Sequence, residues 1–274
     1  MFLRNLCVWF GFVFSFLKMR ILIKLKPKIE TKFFFPYYFQ IQGLIFNLIK
    51  DTKFKEIHNR KLYKFFCFSN IFSGKNSHSD IFRKTQFYNL IISSPNKDFL
   101  KVLAQSFIKR EEIKIDKAIF TLKGVKFFDL PIKKRKKNLK IISISPIIIR
   151  IPKKRYQEYG ISSKTSYPSL YWRPKYPLEA FIRQLEANIF KKYKEYYQKE
   201  IEEFPIFQKF LFKKSVSIPL ELHHQKVNFI GSLWEFYFDF LDERTKEILE
   251  FAIDCGFGEK NSMGFGFVNL EKKS

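Results

Sequence analysis

The side chains able to move a proton near neutral pH are four histidines, His58, His78, His223 and His224. Imidazole suits that task because its unperturbed pKa lies near 6.5. None of the four falls in a metal-ligand spacing such as H-E-x-x-H. The cysteines, Cys7, Cys67 and Cys255, are three in number and far apart. They form neither a zinc site nor a disulfide framework, so a reducing compartment and no metal are expected. His58 stands in Glu56-Ile57-His58-Asn59-Arg60, between a helical and an extended segment. By residue type alone, a lone loop histidine is an ordinary surface side chain. His78 reads as solvated, and His223-His224 as residues of a turn.

A second chemical feature is glycine. Four of the ten glycines fall in the last nineteen residues, in the run Gly256-Phe257-Gly258-Glu259-Lys260-Asn261-Ser262-Met263-Gly264-Phe265-Gly266. Glycine allows positive φ and close backbone approach, so successive N–H groups can converge on one phosphate. A tight turn whose glycines serve only the backbone fits the spacing equally well. The G-K-[ST] ending of a nucleotide-triphosphate loop is missing, and the run follows a helix where a dinucleotide fingerprint follows a strand.

The elements that must position these groups alternate. Met19 to Lys26 alternates apolar and basic residues and reads as a strand. Pro36 suits a first helical turn, and Ile41, Leu44, Ile45, Leu48 and Ile49 follow at helical spacing. Leu62 to Phe72 reads as a second strand and Thr85 to Ile92 as a third. Ser94-Pro95 caps a helix carrying Phe99, Val102, Leu103 and Phe107, and Glu111 to Phe127 returns as one strand or two. After the basic run Lys133 to Lys137 the order recurs. Lys140 to Arg150 is a strand, Lys154 to Lys175 a long connection, and Leu178 to about Glu203 a helix. Strands at Gln208–Leu222 and Lys226–Phe240 follow. A helix with Ile248, Phe251, Ala252 and Cys255 ends at Gly256, and Met263 to Leu270 is the last strand. This is an α+β chain of two tandem βαββαβ units, the ferredoxin-like, RRM-like motif, spanning residues 19–132 and 138–274 with the glycine-rich loop at 256–266.

Residues 1–18 stand apart. The apolar run Leu6 to Leu17 is too short to span a bilayer as a helix and lacks a small-residue cleavage site. An upstream start, with Met19 as the true first residue, is the favoured reading, and an interfacial membrane anchor is its rival. Cytoplasmic location is expected.

Lys and Arg outnumber Asp and Glu 51 to 26, a formal charge of +25, although AT-rich coding would supply part of the lysine excess. A surface of this sign calls for a polyanion, nucleic acid or an anionic membrane. Lys153, Lys154 and Arg155 precede Tyr156, Arg173 follows Tyr171-Trp172, and Lys213 and Lys214 share a strand. Singly these are solvated charges; together with the 133–137 block they fit a cationic groove between the two domains, with aromatic side chains beside it, of the kind that binds nucleic acid.

The loop G-F-G-E-K-N-S-x-G-F-G resembles the C-terminal loop of the CRISPR-associated endoribonucleases that process precursor crRNA, the sixth Cas protein family of the RAMP superfamily. Met19-Arg20-Ile21-Leu22-Ile23 with Lys26-Pro27, Ile41-Gln42-Gly43-Leu44-Ile45, Lys64-Phe65-Phe66-Cys67-Phe68-Ser69 and Ser145-Pro146-Ile147 match further pieces in order. The resemblance implies metal-independent cleavage of CRISPR repeat RNA, without a cofactor, by attack of a 2′-hydroxyl on its own phosphate. The ends would be 2′,3′-cyclic phosphate and 5′-hydroxyl. It puts His58 and Lys64 at the catalytic positions and Gly256, Gly258, Lys260, Asn261, Ser262, Gly264 and Gly266 on the RNA, with Lys213, Lys214 and Arg173 in the groove. Phe46 occupies a helix position where members with a Tyr-His-Lys set carry tyrosine, so its ring is present without the hydroxyl. An inactive crRNA-binding RAMP subunit, a membrane-surface protein and a metal-dependent nuclease are the rival readings. A homodimer and a place in a CRISPR effector complex are both compatible with the resemblance.

Overall fold

The structure is a computed structural model that describes residues 19–33, 36–73, 80–132, 138–162, 166–222 and 225–271. Cys7, His78, His223, His224, the basic run 133–137 and the segment 1–18 lie outside the described residues. The N-terminal half runs β1 (Arg20–Pro27), β2 (Thr31–Lys32), α1 (Tyr38–Ile49), β3 (Cys67–Phe68), β4 (Phe72–Ser73), β5 (Ile81–Phe82), β6 (Tyr88–Ser93), α2 (Lys97–Ile108), β7 (Glu112–Ile115) and β8 (Ala118–Phe128). The C-terminal half runs β9 (Leu139–Ser143), β10 (Arg150–Pro152), β11 (Ser169–Tyr171), α3 (Leu178–Tyr197), β12 (Lys209–Leu222), β13 (Gln225–Phe238), α4 (Glu243–Cys255) and β14 (Val268–Leu270).

The first sheet has the order β3-β6-β1-β8-β7, with β4 also on β6; the second has β12-β13-β9-β14. Every pairing is antiparallel. Strand β1 lies at the centre of its sheet, with Ile21, Ile23 and Leu25 buried on one face while Lys24 on the other is exposed. Helix α1 buries Tyr38, Ile41, Ile45, Leu48 and Ile49, and α2 buries Phe99, Leu100, Leu103, Ala104 and Phe107.

Several elements differ from the sequence reading. The expected strand over Leu62–Phe72 resolves into β3 and β4, because Phe65 has φ +52° and the Ser69 hydroxyl accepts from Ile91 N–H where the ladder would continue. Asn96, not Ser94, caps α2, accepting from Phe99 N–H at 3.0 Å; Ser94 instead accepts from Asn96 N–H. Strand β9 stops at Ser143, ahead of Pro146. Helix α3 ends at Tyr197, with Gln198 in the left-handed region. The segment after Met263 becomes a strand only at Val268.

Two apolar cores form, and each borrows from the other half of the chain. Ile148, Ile218, Leu220, Phe229 and Phe265 pack into the first. Phe65 packs into the second. Among the described residues no helix is long and apolar enough to cross a membrane.

Candidate functional site

Residues 50–66 connect α1 to β3, and a single 3-10 turn, Lys55–Ile57, presents His58 at its end. The imidazole is exposed and rests against Phe46 of α1, ring centroids 4.8 Å apart and nearly perpendicular. Its Nδ1 lies 3.0 Å from Asn59 Oδ1. With that oxygen accepting, the hydrogen is on Nδ1 and the Nε2 lone pair is open. Lys64 closes the turn from below. Its ammonium donates to the carbonyls of Ile57 at 2.7 Å, His58 at 2.6 Å and Arg60 at 2.9 Å, using all three of its hydrogens. Burial, aided by the Arg60 charge, lowers the Lys64 pKa. The ammonium is 5.4 Å from the Phe46 ring centre. Phe46, His58 and Lys64 are therefore one contact group.

The His58 turn is also tied to the C-terminal half. Arg60 pairs with Glu195 of α3 at 2.7 Å and lies over the Phe65 ring at 4.8 Å. Phe65 meets Tyr196 edge-on at 5.1 Å. Its left-handed backbone lets Phe65 turn into the second core while Phe66 and Phe68 enter the first. Strain of this kind persists where packing on both sides dictates it.

The glycine-rich segment approaches the same place along α1. Gln42 Nε2 donates to the Ser262 carbonyl at 3.0 Å, and Phe46, four residues on, holds His58. A rise of 1.5 Å per residue sets these two contacts about 6 Å apart on one helix face. The loop is not an open cradle, however. Its N–H groups at Gly256, Phe257, Glu259, Gly264 and Gly266 bond to the carbonyls of Ala252, Gly266, Ile148, Asn261 and Pro146. Gly256, Gly258, Gly264 and Gly266 are buried with positive φ, and a Cβ at any of them would lie within 3.0 Å of another atom. At Gly256, Gly264 and Gly266, therefore, the amides are held by protein carbonyls and do not point at a phosphate as expected. Asn261 is buried as well, its Nδ2 donating to Phe257 and Phe265 carbonyls. Of the predicted loop contacts, Lys260 is exposed and Ser262 half-buried.

Two buried cations that sequence reasoning missed secure this arrangement. Lys192 of α3, fully buried, donates to Gly256 O, Gly258 O and Asn261 Oδ1 at 2.5, 3.1 and 3.1 Å. Desolvation lowers its pKa. The available signal is phase: position 192 follows Ile189 by three in the apolar stripe of α3. Arg20 of β1, also fully buried, donates to Ile253 and Val268 carbonyls, both at 3.0 Å, and sits 3.7 Å from Asp254. Burial lifts the Asp254 carboxyl to about 7 against the pull of Arg20.

A cleft of about 570 Å³ opens beside the His58 turn, between Lys61, Leu62 and Tyr63 on one wall and β10, α3 and the glycine loop on the other. Burial pushes the Tyr63 hydroxyl up to about 12, so it keeps its proton. Lys213, Lys214 and Arg173 do not line this cleft. Lys213 pairs with Glu235 at 3.3 Å, and Lys214 and Arg173 are exposed elsewhere. Of the aromatic residues near Arg173 and Arg155, Tyr171 is half-buried, and Trp172 and Tyr156 are not platforms. Trp172 is 2% and Tyr156 7% exposed, because both pack in the second core. Among the described residues no group of three His, Cys, Asp or Glu side chains could hold a metal ion.

Comparison with known proteins gives this geometry its context. Residues 126–270 match the family model described as CRISPR associated protein Cas6, C-terminal. A CRISPR-associated endoribonuclease Cas6 of Methanocaldococcus jannaschii is 31% identical over 92% of this chain and 99% of its own. The chain belongs to the Cas6 family. A second Cas6 endoribonuclease, of Haloferax mediterranei, is 22% identical over 93% of this chain and 95% of its own. A solved structure described as CRISPR associated protein Cas6 superposes with a TM-score of 0.70 at 22% identity, covering 93% of this chain and all of that one. Another, described as an RAMP protein binding different RNA substrates, gives 0.69. The matched span covers β9 to β14, so the Cas6 model includes the glycine-rich segment and α3 with Lys192.

Proposed function

We propose that this chain is an endoribonuclease that binds CRISPR repeat RNA and cuts precursor crRNA without a metal. The observation that carries the reading is that one face of α1 touches both His58, through Phe46, and the glycine-rich segment, through Gln42, in a chain of net charge +25. The strand orders support two ferredoxin-like domains, residues 19–132 and 138–274. In each, the first strand of the unit lies between the third and the fourth.

In the proposed reaction, Nε2 of His58 takes the proton from a ribose 2′-hydroxyl, and the freed oxygen attacks the adjacent phosphorus. The P–O5′ bond breaks, leaving a 2′,3′-cyclic phosphate on one product and, once the departing oxygen is protonated, a 5′-hydroxyl on the other. The Lys64 charge beside His58 favours the extra negative charge of the transition state, while its three carbonyl contacts hold the turn. Phe46 fixes the imidazole by contact and exchanges no proton.

The test is cleavage of the repeat from the neighbouring CRISPR array in EDTA. His58→Ala is expected to slow cleavage by about 10²- to 10⁴-fold with affinity nearly unchanged. Unaltered cleavage by His58→Ala would remove this histidine from the mechanism. Binding without cleavage by the unaltered protein would instead favour an RNA-holding subunit.

A further inference from the structure

Within the cleft beside the His58 turn, cations come from four places: Lys61 before β3, Arg150 at the start of β10, Lys191 on α3 and Lys260 at the tip of the glycine segment. One acid, Glu259, faces them. Its position is dictated by backbone pairing, since Glu259 N–H donates to the Ile148 carbonyl at 2.9 Å. That pairing lays the carboxylate on Arg150. Oε2 accepts from Arg150 Nε at 2.6 Å and lies 2.5 Å from Nη2, while Oε1 accepts from Arg150 N–H at 3.2 Å.

Three donors thus converge on a pair of oxygens carrying one negative charge. A phosphodiester offers the same two oxygens and the same charge, and a guanidinium donates to either in the same way. The cleft also offers what a bare anion does not use. Asn188 lines it, and the Asn188 Oδ1 atom is buried without a hydrogen-bond donor. That oxygen is closed to solvent, so a ribose hydroxyl or an exocyclic amine in the cleft reaches it through a turn of the Asn188 amide, which gives the buried acceptor the donor it lacks.

We propose that this cleft is a ribonucleotide subsite whose phosphate position is held, in the free protein, by the Glu259 carboxylate. RNA enters by exchanging Glu259 for a backbone phosphate on Arg150. The inference rests on the reading of the chain as a repeat-RNA endoribonuclease, and it adds a selectivity device. Strands that cannot also satisfy Asn188 and the surrounding lysines do not repay the lost ion pair.

Binding to repeat RNA carrying a 2′-deoxy residue at the cut position, followed by fluorescence anisotropy over a range of salt, tests the exchange. In the unaltered protein Arg150 is already neutralised, so the phosphate displaces a carboxylate and releases no salt counterion there. Glu259→Gln keeps an oxygen for Arg150 N–H and removes the charge. It is expected to tighten binding roughly three- to tenfold at low salt, and to steepen the slope of log affinity against log salt by about 0.7, the increment for one single-strand phosphate. In an Arg150→Met background the same change is expected to have almost no effect. An equal gain in that background would mean a general charge effect and would overturn the proposal, as would no gain in the unaltered background. Melting curves of all four proteins monitor folding, and Arg150→Gln replaces Arg150→Met if the latter unfolds. Failure of the unaltered protein to bind the repeat or to cut its all-ribose form would refute the nuclease reading itself. Cleavage with an unresponsive Glu259→Gln would refute the exchange alone.

Discussion

Alanine at position 264 separates two explanations of the glycine-rich segment. Gly264 has φ +85°, and a Cβ there would lie 2.5 Å from Phe68 Cε2 and 2.9 Å from Tyr38 Cδ1. Neither ring can yield easily, since Phe68 is fully buried and Tyr38 is 1% exposed. A left-handed L-residue costs about 1–2 kcal/mol, and forcing a methyl into a filled core adds about 1–3 kcal/mol. Gly264→Ala should therefore lose roughly 2–5 kcal/mol, a large part of the ~5–15 kcal/mol typical of a folded protein. Gly43 supplies the control. It is exposed on α1 with nothing within 4 Å of its would-be Cβ, so Gly43→Ala should gain about 0.5–1 kcal/mol. Urea titration followed by the fluorescence of the buried Trp172 and Trp234 reads both. A Gly264→Ala protein of unaltered stability that no longer holds repeat RNA would show that the glycines serve a phosphate, and would refute the packing argument.

Other outcomes follow from the ties between the two halves. Asp254 stands at about 7 in the folded protein against an ordinary 3.8, so its protonated form is favoured by folding. Its contribution is complete below about pH 4 and is lost as pH rises through 7. Asp254→Asn should flatten urea stability across that window, by at most about 4 kcal/mol; a curve parallel to the unaltered protein's would count against the burial argument. The Arg60–Glu195 pair is partly exposed, 42% and 20% at the side chains, so either single alanine should cost no more than ~1 kcal/mol of stability. Because the pair anchors the His58 turn, cleavage should nevertheless drop by about tenfold or more in kcat. The charge-swapped double variant, Arg60→Glu with Glu195→Arg, should recover part of the rate, and no recovery would make the pair incidental.

What could be read from the sequence was set by local periodicity. The alternation of β1, the stripe of α1 and the run of α2 are single-element signals, and the structure places these elements within a residue or two of the reading. The contact of Phe46 with His58 joins an expected helix to an expected loop. What escaped depends on atoms distant in sequence. Lysine in an apolar stripe reads as a lapse in the pattern until Gly256 O, Gly258 O and Asn261 Oδ1 supply its partners. Arg20 sits on the face of β1 opposite Ile21, Ile23 and Leu25, expected to be wet, and is covered there by Ile253, Phe267 and Val268. The glycines were visible, but their task was not, because phosphate binding and ring packing demand the same missing Cβ. Trp172 and Tyr156 show the same ambiguity: an aromatic residue beside arginine stacks on a base only if the core leaves its ring outside.

Phe65 has a consequence for how the chain can be divided. By position it precedes β3, yet its ring is a component of the other half's interior, just as Phe265 and Phe229 are components of the first. A cut near residue 135 would leave each fragment with a hole where a borrowed ring belongs and with greasy side chains facing water. The two fragments would then be sticky separately and complementary together, so co-expression, rather than mixing after purification, is the route by which a split form would regain its shape.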